Sequence, residues 1–217
     1  MSRIVFGCLI MFSLAGGLTV SAQKKAQVTY MRKAGETAIA ADVAKSYVAA
    51  AQPCDNYGWA SGVEMLLKAK QVSIPQKDWV MKAYGGYKCI TPLTLPDYPE
   101  LQRYINGDYA LAPERKVRLE TEFAPGPPLT PDPFIAAFRA NDALLLIWKG
   151  KPYVWYGVVY DEYIHPTGNR MFEIMELKLL DPLAKSKDKQ LVSFIKGKDD
   201  ANQIDGVMWV RVSARDR

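Results

Sequence analysis

The chain has 217 residues, 49% of them apolar, 24% charged and 11% aromatic, a balance that excludes a disordered tail as the main feature and suits a compact globule. Its net charge of +5 is spread over interleaved acids and bases, as in Lys185 to Asp188 and Lys196 to Asp200, so no basic stripe marks a nucleic-acid partner. One histidine and the two cysteines that remain after residue 22, themselves expected to be bridged, cannot supply the three or four clustered ligands that zinc prefers, and no glycine-rich phosphate loop is present; no metal or cofactor is expected.

In chain order, Arg3 is followed by an apolar run from Ile4 to Leu18 and then by small residues up to Ala22. This pattern predicts a secretory signal peptide over residues 1–22, cut after Ala22, and an exported protein, periplasmic or secreted. No later segment offers the roughly 20 apolar residues that a membrane-spanning helix needs. The mature chain, 23–217, has the length of a single domain. Two cysteines then remain, Cys54 and Cys89, and an oxidising compartment predicts a disulfide between them, with a free thiol at Cys54 as the competing reading.

The polar stretch after residue 23 is a leader or an early strand around Val28 to Tyr30. Glu36 to Ala51 is alanine-rich and helix-prone, and Gln52-Pro53 stops it. A second helix starts after Asp55 or Asn56, with Trp59, Val63, Leu66 and Leu67 on one stripe. A third runs from Pro75 to Gly85, and a short one passes through Leu101, Tyr104 and Ile105. Five prolines between Phe123 and Pro133 suggest a crossover, followed by a short helix to Ala140. After that the pattern turns to β: Leu144 to Trp148, Tyr153 to Tyr160, Met171 to Leu180 and Val207 to Val212. Helices first and strands later predict an α+β fold, with a helical lobe over about 36–122 and a β-rich lobe over about 134–213.

The segment from Gln52 to Ser61, continued by a helix through Leu67, resembles the papain-like and C39-like cysteine peptidases. There a glutamine precedes the nucleophilic cysteine, which opens a buried helix just before a tryptophan. Gln52 and Trp59 match, and the nucleophile position is Gly58. Further on, a strand, a glycine turn at Lys149 to Tyr153, a valine-rich strand and Leu180-Asp181-Pro182 follow the family order. Asp181 matches the residue that orients the histidine, and the histidine position is Pro152, or Lys151 if the turn slips by one. A bridge from Cys54 to Cys89, close to Gly85-Gly86, also suits the family.

The resemblance implies a papain-like fold whose central helix lies against an antiparallel sheet or partial barrel. It also implies a pseudo-peptidase, because thiol and base act as a unit and both are missing. Such a protein would bind or scaffold, holding at most an extended peptide in the cleft between its lobes. A rival reading makes Cys54 the nucleophile, His165 the base and Asp181 the orienter of an active hydrolase. A third is a structural envelope protein whose cleft is closed by side chains such as Tyr57 and Tyr153.

Overall fold

The computed structural model describes residues 29–41, 43, 57–86, 98–112, 115–128, 130–185 and 190–215. The expected signal peptide, Gln52, Cys54, Cys89 and the Cys54–Cys89 bridge lie outside these residues. Among the described residues the chain runs β1 (Met31–Ile39), α1 (Gly58–Ala69), α2 (Gln76–Tyr84), α3 (Leu101–Ile105), β2 (Gly107–Ala112) and β3 (Arg115–Pro125). It continues with α4 (Asp132–Arg139), β4 (Leu144–Trp148), β5 (Lys151–Ile164), β6 (Arg170–Leu180), β7 (Leu191–Ile195) and β8 (Ile204–Arg215).

The strands form one antiparallel sheet in the order β2-β3-β8-β4-β5-β6-β7, and β1 pairs with the far half of β5. The long β5 thereby borders three strands: β4 along 151–155, β1 along 157–164, and β6 along its other edge.

The expected α+β papain-like arrangement with a helical N-terminal lobe is overturned by this sheet. Three of its eight strands come from the first 125 residues, and β3 lies inside it, between β2 and β8, where the crossover between lobes was expected to begin. The reason is a period of two hidden by charge. Val117, Leu119 and Thr121 are buried, while Lys116, Glu120 and Glu122, which alternate with them, are exposed. Glu36 to Ile39 likewise completes β1 instead of opening a helix, because pairing with β5 outweighs the weak helical preference of the segment. Gly35, at φ 71°, makes the bulge in β1 that a residue with a side chain adopts only under strain. Of the rest of that expected helix, Ala41 and Val43 are helical and the other residues lie outside those described.

Two helices cover opposite faces of the sheet. Helix α1 buries Trp59, Val63, Leu66 and Leu67, and it approaches so closely that a Cβ on Gly62 would stand 2.5 Å from Leu145 Cδ1 and 3.7 Å from Val154. Trp155, the neighbour of Val154, points to the other face, where Phe134 and Phe138 of α4 lie with ring centroids 4.8 and 5.1 Å from it. Its indole N–H donates to the Gly157 carbonyl at 2.8 Å, so this large core ring is buried without an orphaned donor.

Candidate functional site

Two of the positions singled out by the family resemblance, Gly58 and Pro152, meet at one end of β5. Gly58 is the first residue of α1 and is buried. A Cβ built on it would stand 3.0 Å from Pro152 Cγ and 3.4 Å from Leu183 Cγ. Pro152 is the second residue of β5, where a proline is tolerated close to a strand start. Val154 pairs with Leu180, so Asp181 lies just beyond the end of β6, beside the start of β5. The structure thus brings Gly58 and Pro152 into contact and sets Asp181 close to them in the sheet.

What these residues do there is structural. Asp181 Oδ1 accepts the Leu183 N–H at 2.8 Å, and its own N–H donates to the Gln190 carbonyl at 2.8 Å. Gln190 Nε2 returns a bond to the Asp181 carbonyl at 3.2 Å. The carboxylate therefore holds the turn that brings Leu183 against Gly58. Burial, helped by the negative charge of Asp181, raises the Tyr153 phenol above its ordinary range, so it stays protonated at neutral pH.

Helix α1 begins without a side-chain cap on its first amides and with no acid in its first turn. A thiol at position 58 would feel the positive helix end, which favours thiolate. Glycine leaves that field without a nucleophile. Ser61, one turn further, is the nearest hydroxyl on the helix, but it is fully buried and donates to Gln76 Oε1 at 3.0 Å, an amide oxygen that is no base. Trp59 is core, its ring edge-on to Tyr84 at 6.4 Å between centroids. Tyr57 is buried directly before Gly58, and desolvation raises its phenol as well.

His165 belongs elsewhere. It sits in the turn after β5, where its Nδ1 is 2.6 Å from Thr167 Oγ1 and 3.1 Å from the Thr167 N–H, and its ring lies edge-on to Tyr30. Ile164 pairs with Arg170 and Val154 with Leu180, so His165 and Asp181 occupy opposite ends of the same ladder. At about 3.3 Å per strand residue the separation along the ladder is roughly 40 Å, and the two do not come together.

Sequence reasoning missed Leu183 and the Ser61–Gln76 pair. No sequence signal marks Leu183; for the pair, a serine and a glutamine at otherwise apolar helix positions is the trace. Among the described residues no group of three or more His, Cys, Asp and Glu could hold a metal ion, and no helix is long and apolar enough to cross a membrane. Comparison with family models, with curated proteins and with solved structures finds no match to this chain.

Proposed function

We propose that this is an exported, catalytically inert protein whose site keeps the spatial plan of a cysteine-peptidase centre without its reactive groups, and that it serves as a scaffold. The observation that carries the reading is the contact at Gly58: where a thiol and an imidazole would face each other, a Cβ position meets Pro152 at 3.0 Å and Leu183 at 3.4 Å. A filled nucleophile position favours the third reading, a structural protein with a closed cleft, over peptide binding. An extended peptide laid there would have to displace Pro152 and Leu183.

Two experiments test it. In the first, the protein is incubated with a mixed peptide substrate under reducing conditions; no cleavage is expected. Cleavage that disappears on Cys54→Ser would overturn the reading in favour of a hydrolase. A thiol count by alkylation and intact mass accompanies it, with no free thiol before reduction and two after as the expected result for a Cys54–Cys89 bridge. In the second, Gly58→Cys is compared with the double variant Gly58→Cys/Pro152→His. If the two positions face each other as nucleophile and base, the double variant alkylates roughly tenfold faster at mildly acid pH, because an adjacent imidazolium lowers a thiol pKa. Equal rates would refute the inherited site plan.

A further inference from the structure

A concavity lies away from Gly58, between the proline loop before α4, strands β6 and β7, and the start of β8. It is a partly open chamber of about 200 Å³ walled by Pro127, Pro128, Ile174, Leu177, Phe194 and Ile204. The wall is rigid and nearly all carbon: each proline fixes its own φ and has no N–H to offer. Ala201 and Lys196 complete it. The Lys196 ammonium, the one cation among the described residues that line the chamber, is paired with Glu173 at a partly exposed position. Behind Phe194 stands Trp148, with ring centroids 5.4 Å apart, and among the described residues the buried indole Nε1 of Trp148 has no hydrogen-bond partner.

We propose that this chamber is a binding site for a small uncharged apolar molecule of about one or two fused rings. Size and charge together select that class. A dry engineered cavity of roughly 150 Å³ lined by Leu, Ile and Phe takes up benzene, and this chamber is somewhat larger. A wall of carbon with a paired cation rejects an ionised ligand, which would lose its hydration without gaining a free counter-charge. Strands β6 and β8 and the prolines hold the site open beforehand, so little ordering is needed on binding.

The test is methyl NMR on the full chain, titrated with indole and, separately, with benzoate. Indole is expected to give saturable shifts at the methyls of Ile174, Leu177 and Ile204 and at the Trp148 indole N–H. Benzoate should bind at least about tenfold more weakly, since its charge must be desolvated. Ala201→Phe, at an exposed position whose change leaves the core intact, and Ile174→Trp each fill the chamber and should abolish the indole shifts. Absence of shifts at those methyls with millimolar indole would overturn the proposal, as would shifts that persist in both filled variants. Benzoate binding as tightly as indole would overturn the assignment to uncharged ligands.

Discussion

The two ends of the β5–β6 ladder solve the same problem in opposite ways. At the Arg170 end, Asp161 and Glu162 are buried carboxylates, and each has partners: Arg32 and the Gly35 N–H at 2.9 Å for Asp161, Lys33 at 3.6 Å and Arg170 at 3.2 Å for Glu162. At the Asp181 end the charge is turned toward a backbone N–H, and the space at the head of α1 is filled by Pro152 and Leu183. A charge in a protein interior survives only with a partner, because its desolvation is otherwise uncompensated. Carbon packing at the head of α1 asks for no such partner.

The strongest way to break this comparison is to overfill the carbon end. Gly58→Leu adds branched carbon where Pro152 and Leu183 already stand at 3.0 and 3.4 Å. It is expected to destabilise by about 3 kcal/mol, lowering Tm by roughly 6–12 °C for a chain of this size. Adding Pro152→Ala to that variant should recover part of the loss. Thermal unfolding that is unchanged by Gly58→Leu would mean that the head of α1 is open after all.

A smaller effect is expected one turn along the helix, at the polar pair buried behind the carbon end. Ser61→Ala removes the donor to Gln76 Oε1 and should lower stability by about 1 kcal/mol. Denaturant titration reads it directly as a shift in midpoint without a change in slope. No shift would show that the pair is dispensable and that this end depends on carbon alone.

The subtlest test is a pH titration at the charged end. The Gly35 N–H first and Arg32 second hold Asp161 below the ordinary carboxylate range. A depressed pKa in the folded state gives stability that is fully present above the unfolded carboxylate pKa and lost as pH falls through the folded one. Asp161→Asn should therefore unfold at lower temperature than the parent at neutral pH. The gap between the two should close once the medium is acid enough to protonate Asp161. A gap independent of pH would show that the shape of the side chain, and not its charge, secures β1.

Helix α1 at the Asp181 end was legible in the chain itself, from the stripe of Trp59, Val63, Leu66 and Leu67. The sheet was far less legible. Strand β3 alternates correctly, but its outward positions are Lys116, Arg118, Glu120 and Glu122, and that density of charge reads as a solvated surface. Strand β7, Leu191–Ile195, is as long as β4 but is broken by Ser193 and flanked by charged segments, so it does not stand out. Leu183 and the apolar chamber carry no local pattern at all, since segments far apart in the chain build both. Only tertiary pairing places them.

The position of β1 also fixes a clock. Met31 pairs with Ile164 and Thr37 with Val159, so the first strand has no partner until β5 exists. At about 5–20 residues per second of synthesis, that wait lasts on the order of ten seconds. Contacts of such long span also make folding intrinsically slow once the chain is complete. For that interval Met31 and Ile39 stand on an unpaired strand, in the state most exposed to wrong pairing. A chain interrupted before Lys151 would remain in that state.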